Sequence, residues 1–405
     1  MKNTNLETLG LRLRSLTLFR ELLGEPIVDA LGKYLDTLSE GDSAKSISAY
    51  CRFVSLLYKK GGNLSKYLRE AVRDSENVYI STVGKGETPA DFLEKALNTE
   101  LAILEELTSL SSEKLAKGIE SEISLPEYLT EELSLAEFYK AHIKNIGKCG
   151  YGIYARYRMF YLDADHKIVP VHSPDETRLS SLVDYEREQK IILDNTKALL
   201  AGKPAANILL TGDAGTGKSS TVKAIVNELY GEGLRVIEVR KDQLRNIAGL
   251  LDTLSENPLK FILFIDDLSF QKDDDNYSAL KAVLEGSVSA KSQNVVIYAT
   301  SNRRHIVKEK FSDRDGDDIH RSDTMQEMVS LSERFGIHVT FKRPDKQTYL
   351  DIVRHLALEA GICDMAEDEL DALAEQYALG RGGRSARAAR QFVDGLVASV
   401  KETDN

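Results

Sequence analysis

The stretch that most constrains this chain is residues 207–220, where a short apolar segment leads into the pattern G-x-x-x-x-G-K-S. Such a pattern between a strand and a helix is a phosphate-binding loop, the P-loop. Residues 208–210 before it are apolar, and Val222, Ile225 and Leu229 recur after it at helical spacing. The context on both sides therefore favours a strand–loop–helix unit over the alternative, a glycine-rich turn without a ligand.

Each residue type in this loop has a physical reason. Glycines let the backbone bend tightly and approach an anion, and the loop's N–H groups together with the following helix N-terminus favour phosphate. Lys218 supplies a positive charge for the β- and γ-phosphates, and the Ser219 hydroxyl is placed to bind Mg²⁺. The predicted nucleotide-binding residues are Gly212, Asp213, Ala214, Gly215, Thr216, Gly217, Lys218, Ser219 and Ser220.

A second motif follows at residues 261–267, an apolar run that ends in Asp266-Asp267. It resembles a Walker B strand, whose first acid holds the magnesium shell. Asp266 is therefore predicted to bind the metal together with Ser219, and the predicted cofactors are ATP and Mg²⁺. Walker B strands usually end in Asp-Glu, so the shorter Asp267 makes hydrolysis a weaker expectation than nucleotide binding.

Composition bounds the class of protein. The 405 residues suffice for two or three domains, and 42% hydrophobic residues can form a proper core. The 53 basic and 64 acidic residues give a net charge of −11, which disfavours a protein that mainly coats nucleic acid. Cys51, Cys149 and Cys363 are scattered, and no apolar run approaches a membrane span. We expect a soluble cytoplasmic protein without membrane contact.

The chain divides into four segments by pattern. Residues 1–150 are predicted to be a mostly helical domain, and residues 151–175 a β-hairpin or a linker. Residues 176–343 alternate strand and helix, as in an α/β domain with a parallel sheet. Residues 344–405 contain no strand pattern and are predicted to form a helical lid.

Local patterns make these segments more specific. In the first, two apolar stripes at helical spacing predict helix faces, one formed by Leu11, Leu13, Leu16, Phe19, Leu22 and Leu23 and one by Leu93, Ala96, Leu97, Leu101, Leu104 and Leu107. In the second, residues 151–157 and 159–162 are predicted to be extended, with a turn at 163–166 and a returning strand at 168–171. Residues 312–324 are acidic and polar and are predicted to be a loop.

The last two hundred or so residues resemble an AAA+ ATPase, and in particular an uncharacterised bacterial AAA+ ATP-binding family. The phrases that carry the resemblance are GTGKSS, FIDDLSF, YATSNRRH, LSERFG and GGRSARAARQF. The resemblance implies an α/β P-loop NTPase of the AAA+ type with a C-terminal helical lid and a mostly helical N-terminal domain. The resemblance is specific for the AAA+ part and says little about residues 1–145.

The resemblance also implies roles for single residues. Asn302 matches sensor 1, which orients the attacking water; the alternative is an asparagine that caps a strand-end turn. Arg334 matches an arginine finger; the alternative is a surface arginine paired with a nearby acid. Arg387 matches sensor 2, with Arg384 as the alternative. Asp267 would orient or activate water as the second Walker B acid.

The sequence says less about the residues that contact the adenine base and about the residues next to Asn302. The family places adenine contacts before the first helix of the domain, which makes Val183 and Tyr185 candidates. Arg303, Arg304 and His305 lie beside Asn302 and have no assigned role.

Three functions are compatible with these patterns. The first is an oligomeric, ring-forming, Mg²⁺-dependent ATPase that remodels an unknown protein client. The second is a nucleotide-binding switch or scaffold with little hydrolysis. The third is a nucleic-acid loader or motor, for which residues 381–390 could supply a basic surface; the acidic net charge makes nucleic acid the less favoured partner.

Overall fold

The computed structural model describes residues 4–119, 123–268, 275–285, 293–302, 331–362 and 365–403. The chain folds as two compact units, Met1–Arg156 and Tyr157–Asn405.

The described part of the first unit is built from helices and loops. The helices are α1 (Thr4–Arg14), α2 (Pro26–Glu40), α3 (Ser43–Tyr58), α4 (Leu64–Asp74), α5 (Val78–Gly84), α6 (Asp91–Thr108), α7 (Ser112–Ala116), α8 (Leu135–Lys144), α9 (Ile146–Cys149) and α10 (Ile153–Arg156), with a 3-10 helix at Arg20–Gly24. Its core contains aromatic pairs that meet edge to face, such as Tyr34 with Tyr50 and Phe53 with Tyr128.

One of the two predicted apolar stripes forms a single helix face. Leu97, Leu101, Leu104 and Leu107 are all buried on α6, which confirms that stripe. Burial of such a face supplies most of a helix's stability in a folded protein.

The other stripe was predicted as one helix face, and this is only partly right: Leu13, Leu16, Phe19 and Leu22 are buried in the core, but they do not lie on one helix. Helix α1 ends at Arg14, and Leu11 is 71% exposed. The reason is the buried Glu100 carboxylate, which accepts the backbone N–H groups of Thr17, Leu18 and Phe19 at 2.8, 3.0 and 3.0 Å. These N–H groups bind a side chain from α6 instead of helical carbonyls, so the helix cannot continue.

The second unit combines a sheet with helices. Its elements are β1 (Met159–Leu162), β2 (Ile168–Pro170), α11 (Glu186–Leu200), β3 (Ile208–Gly212), α12 (Lys218–Leu229), β4 (Leu234–Glu238), α13 (Ile247–Ser255), β5 (Lys260–Ile265), α14 (Asp275–Glu285), β6 (Val295–Ser301), β7 (Ile337–Phe341), α15 (Lys346–Glu359), α16 (Glu367–Gly380) and α17 (Ala386–Thr403). Short 3-10 helices occur at Leu179–Ser181, Tyr230–Glu232 and Lys241–Asn246.

The strands form one sheet in the order β2-β1-β4-β5-β6-β3-β7. Neighbouring strands are parallel except β1 and β2, which pair antiparallel. The carboxyl ends of β3, β5 and β6 therefore meet at one edge of the sheet, which is where ligands bind in open α/β sheets. The α/β fold class with a mostly helical N-terminal region is confirmed.

The hairpin of β1 and β2 extends this sheet. The turn is held by the Asp163 carboxylate, which accepts the N–H groups of Asp165 and Lys167, both at 2.9 Å. Such an Asx turn is a common use of aspartate between strands. The preceding residues were predicted to be extended, whereas Ile153–Arg156 forms a helical turn.

The C-terminal helices α15, α16 and α17 pack around a core of their own. Tyr349, Val353, Ala374 and Ala389 lie at its centre and are fully buried. Val183, from the loop before α11, packs against the same core. Within the described residues, no helix is both long enough and apolar enough to cross a bilayer.

Candidate functional site

The loop after β3 depends on a glycine at its first position. Gly212 has φ +143°, and a Cβ there would lie 2.1 Å from the carbonyl oxygen of Phe341 on β7. No other residue can therefore occupy this position without moving β7. The chain then turns through the loop and enters α12 at Lys218, the predicted order of strand, loop and helix.

Lys218 lies inside the loop and is only 5% exposed. Its Nζ donates to the carbonyl oxygens of Gly212 at 2.9 Å and Asp213 at 2.8 Å, and to the Asn302 Oδ1 at 3.0 Å. Burial lowers the pKa of Lys218, although the neighbouring carboxylates Asp266, Asp213 and Asp267 oppose this shift. An anion in the loop would compensate the same desolvation.

Asp266 meets the first turn of α12. Its Oδ1 accepts from the Ser219 hydroxyl at 2.7 Å and from the Thr300 hydroxyl at 2.5 Å. The two residues predicted to bind Mg²⁺ are thus adjacent. Their donor set of one carboxylate and one hydroxyl fits this ion, because Mg²⁺ takes few protein oxygens and completes its shell with water and phosphate. Among the described residues, no group of three or more His, Cys, Asp or Glu could hold a metal.

Asp267 has a different partner from its neighbour. Its Oδ1 accepts from the Asn302 Nδ2 at 2.8 Å, and its backbone N–H donates to the Thr300 hydroxyl at 2.9 Å. Asp267 has φ +52°, in the left-handed region that few non-glycine residues adopt. Asn302 therefore connects Lys218 to Asp267, one through its amide oxygen and the other through its amide nitrogen.

Thr300 is a site residue that the sequence reasoning missed. It is 2% exposed, and its hydroxyl joins the two Walker B acids. Its position two residues before Asn302 was an available signal, since residues at i and i+2 of a strand lie on the same face.

The lid helix α17 begins directly against the P-loop. The Arg387 N–H donates to the Gly215 carbonyl at 3.2 Å, and a Cβ at Gly215 would lie 3.0 Å from the Arg387 Cβ. Arg384 instead makes a two-pronged ion pair with Glu375 at 2.8 and 2.7 Å, within the lid. Of the two alternatives for sensor 2, the geometry thus brings Arg387 to the loop and not Arg384.

Arg343, between β7 and α15, also contacts the P-loop, and the sequence reasoning missed it. Its Nε lies 3.4 Å from the Asp213 Oδ2. A Cβ at Gly383 would lie 2.8 Å from the Arg343 Nη1, so the segment before α17 passes close to this side chain. Asp213 is therefore bound at the surface of the loop rather than turned toward its interior.

These elements enclose a cavity of about 730 Å³, within the size range of small-molecule sites. Its polar end is formed by the P-loop, the two acids, Asn302 and Arg387. The other part, termed the apolar end, is lined by residues of the loop before α11 and of α15, Leu182, Val183, Tyr185, Ile352 and Leu356, and Glu359 of α15 also lines the cavity. A ligand with a charged end and an apolar end fits this division.

The loop at the apolar end is held in an unusual backbone conformation. Asp184 and Tyr185 both have φ +71°. The Gln189 side chain donates to the carbonyl oxygens of Leu182 at 3.2 Å and Asp184 at 3.0 Å, which fixes the backbone on both sides of Val183. The two adenine candidates, Val183 and Tyr185, both line the cavity.

Arg334 is not brought to this cavity. It precedes β7, at the amino edge of the sheet, whereas the P-loop follows the carboxyl end of the parallel strand β3. Its guanidinium forms an ion pair with Glu285 at the end of α14. Arg303, Arg304, His305 and the predicted loop 312–324 lie outside the described residues.

The family profile described as "Protein of unknown function (DUF815)" matches residues 155–400. The chain belongs to this family. The matched region of the DUF815 chain contains every residue of the site described above. The P-loop, the parallel sheet and the helical lid agree with the predicted P-loop NTPase fold of the AAA+ type.

Comparison with solved structures gives distant similarities. The DUF815 chain is 16% identical to the Thermotoga maritima RuvB Holliday junction branch migration motor, over 56% of this chain and 66% of that chain, with a TM-score of 0.37. It is 13% identical to a chain of the E. coli MS115-1 HORMA:CdnC:Trip13 complex, over 55% of this chain and 93% of that chain, with a TM-score of 0.38. These values are too low to transfer a function. No curated protein matches the chain.

Proposed function

We propose that this chain is a Mg²⁺-dependent ATPase of the AAA+ type, which works as an oligomer and remodels a protein partner. The observation that carries the proposal is the connected set of side chains at the carboxyl edge of the sheet. Lys218, Asn302 and Asp267 are linked in one chain of hydrogen bonds, and Ser219 with Asp266 lies beside it. A phosphate-binding loop, a metal-binding pair and a carboxylate that can orient water are the parts that phosphoryl transfer needs.

The residues divide the work by position. Lys218 and the loop N–H groups bind the β- and γ-phosphates, and Ser219 with Asp266 holds Mg²⁺, which neutralises charge on the phosphates when bound. Asp267 and Asn302 are adjacent to the position of the γ-phosphate and orient the attacking water. The apolar end of the cavity takes the base, with Val183 and Tyr185 in its wall.

The geometry of the single chain supports an oligomer. Among the described arginines, Arg387 and Arg343 contact the P-loop, through the Gly215 carbonyl and the Asp213 carboxylate, whereas Arg334 lies at the far edge of the sheet. An Arg334 that acts as a finger would therefore belong to a neighbouring subunit, and a repeated head-to-tail contact forms a ring when the rotation between subunits closes.

The proposal gives the N-terminal unit the role of recognising a protein client. The unit Met1–Arg156 is compact by itself and is a candidate for client recognition. A nucleic-acid partner is less well supported, because two of the four arginines in residues 381–390 are occupied within the lid. Arg381 lies over the Tyr377 ring at 5.4 Å, and Arg384 binds Glu375.

The second candidate is a nucleotide-dependent switch with little hydrolysis. Its support is Asp267, one methylene shorter than the usual glutamate and hydrogen-bonded to Asn302. Steady-state phosphate release and equilibrium nucleotide binding, measured on the full chain and on Asp267→Asn, separate the two. An ATPase loses turnover but keeps binding in this variant, whereas a switch shows the same negligible turnover in both proteins.

A further inference from the structure

The lid helix α17 and the turn before it carry four arginines with different surroundings. Arg381 stacks on Tyr377 and Arg384 is paired with Glu375. The side chains of Arg387 and Arg390 have no hydrogen bond or ion pair with any described residue. Both residues are exposed, so their guanidinium groups are accessible to a ligand.

Arg387 and Arg390 lie on the same face of α17. Residues three and four apart are neighbours on a helix surface, and Arg387, Arg390 and Gln391 have this spacing. All three line the cavity of about 730 Å³. Because α17 starts at the P-loop, Arg390 lies about 4.5 Å further from the loop along the helix axis than Arg387.

The surroundings of Arg390 give its position along the cavity. It also lines a smaller adjoining cavity of about 210 Å³ together with Leu356, Glu359 and Asp394. Leu356 belongs to the apolar end, so Arg390 lies nearer to that end than Arg387, whose backbone contacts the P-loop. Glu359 and Asp394 are close, yet neither comes within 4.0 Å as an ion-pair partner among the described residues.

A second part of the cavity wall agrees with this placement. Thr177 lines the same cavity as Arg390. Burial acts to raise the pKa of the nearby Asp175 carboxyl, but hydrogen bonds from Thr177 and the positive charges of Lys223 and Arg390 together outweigh this effect, so the pKa is lowered.

We propose that Arg390 binds the α-phosphate of the nucleotide. This inference rests on the proposed function. A nucleotide with its β- and γ-phosphates at Lys218 and its base between Val183 and Leu356 has its α-phosphate between those points, beside Arg390. A guanidinium can bind phosphate through two parallel N–H donors, and such charge-assisted bonds are stronger than neutral ones.

It follows that the two arginines contact different parts of the nucleotide. Arg387, next to Lys218, contacts the end of the nucleotide that changes on hydrolysis. Arg390 contacts a group that ATP and ADP share, so it contributes equally to the affinity for both and retains ADP after hydrolysis.

The test is equilibrium titration of the full chain and its variants with ATP and with ADP. Arg390→Ala is expected to weaken both by about tenfold, the equivalent of one charge-assisted hydrogen bond. Arg390→Lys should recover part of the loss, since an ammonium retains the charge but not the two-pronged geometry. Arg387→Ala should weaken ATP more than ADP. Arg381→Ala is the matched control, because it removes an arginine near the same helix that does not line the cavity.

The outcomes separate this inference from the proposed function. Unchanged ATP and ADP affinity in a folded Arg390→Ala would overturn the inference, and so would a loss confined to ATP. In either case, nucleotide binding by the unmodified chain and its loss in Lys218→Ala would leave the proposed function standing. Absence of nucleotide binding in the unmodified chain would overturn both. A thermal unfolding midpoint equal to that of Arg381→Ala shows that Arg390→Ala is folded.

Discussion

Replacing Arg334 by alanine tests whether the catalytic site is completed between subunits. Residues 337–341 of β7 pair in register with residues 208–212 of β3, so the two strands run side by side for about 13 Å. Arg334 lies before the amino end of β7, and the P-loop lies after the carboxyl end of β3, at the opposite edge of the sheet. An arginine side chain cannot cover that distance within one chain. A catalytic Arg334 must therefore act on a neighbouring subunit.

The expected magnitude distinguishes a finger from a surface ion pair. Arginine fingers contribute about 10³ to 10⁵ in rate, or about 4–7 kcal/mol. The ion pair with Glu285 joins side chains that are 24% and 39% exposed, and partly exposed pairs contribute about 0–1 kcal/mol after screening. Glu285→Gln is the matched control, since it breaks the same ion pair and keeps the arginine. We expect Arg334→Ala to lose at least about 10³ in turnover while still binding ATP, and Glu285→Gln to retain turnover.

The assay is phosphate release from mixtures of Arg334→Ala and Lys218→Ala, under conditions of demonstrated subunit exchange. At equal amounts, about a quarter of the interfaces join an intact P-loop to an intact finger in a head-to-tail assembly, so turnover should recover to about that fraction. Turnover per chain of the unmodified protein should also rise with concentration. Mixed assemblies without recovered activity would refute the reasoning. Equal losses in Arg334→Ala and Glu285→Gln would do the same, and would favour a structural ion pair.

Four further outcomes are expected. Lys218→Ala should abolish nucleotide binding in a direct titration while the unfolding midpoint stays close to that of the unmodified chain; unchanged affinity would contradict the P-loop assignment. Asp266→Asn should lose Mg²⁺-dependent activity, whereas Asp267→Asn should keep nucleotide bound and stall, so identical behaviour in binding and phosphate-release assays would be evidence against their separate roles. Thr300→Val should cost about 1–3 kcal/mol of stability and weaken the Mg²⁺ dependence, because it removes a buried hydroxyl bonded to both acids; a Mg²⁺ titration checks this. Burial lowers the pKa of His142, so as the pH falls the unfolded chain is protonated before the folded chain, and stability should fall below about pH 6.5. His142→Gln should lose this part of the pH dependence in thermal unfolding, and an unaltered pH profile in the variant would exclude a contribution of His142.

Local sequence patterns were sufficient to predict the elements that have a local signal, such as an apolar strand, a glycine-rich loop or an amphipathic helix. The P-loop and the Walker B strand could be placed at one edge of a sheet, because apolar strand runs and loop glycines are local signals. The buried face of α6 could be predicted for the same reason. The extent of α1 could not, because Glu100 lies more than eighty residues away and takes the N–H groups that would have continued the helix.

The sequence predicted the P-loop, Asp266, Asp267 and Asn302, which line one cavity, but it missed Thr300 and Arg343 and did not indicate which side chains pair. Spacing left sensor 2 open between Arg384 and Arg387, and only the position of Glu375 shows which of them is engaged elsewhere. The partners of Arg334 and Asp213, which are Glu285 and Arg343, carry no periodic signal. Side-chain pairs of this kind are set by the packing of distant elements, so a single sequence does not contain them in readable form.

Whether Asp267 can replace the usual, longer glutamate depends on how its carboxylate is held. A shorter side chain reaches less far, but its backbone is in the left-handed conformation, and its N–H is bound by the Thr300 hydroxyl. The same hydroxyl donates to Asp266, so the two acids are fixed relative to each other by one buried group. Under the proposed function, this positioning is what would allow the shorter side chain to orient water.

Asn302 then links this carboxylate to Lys218. Its amide oxygen accepts from Lys218 and its amide nitrogen donates to Asp267. A γ-phosphate at Lys218 competes with the amide oxygen for the same ammonium donors, and an amide that turns toward the phosphate also changes its bond to Asp267. Under the proposed function, nucleotide binding and the orientation of the second acid are therefore coupled through one side chain. Asn302 holds the Asp267 carboxylate in this structure, and a bound phosphate that turned the amide would weaken that hydrogen bond and leave the carboxylate available to water.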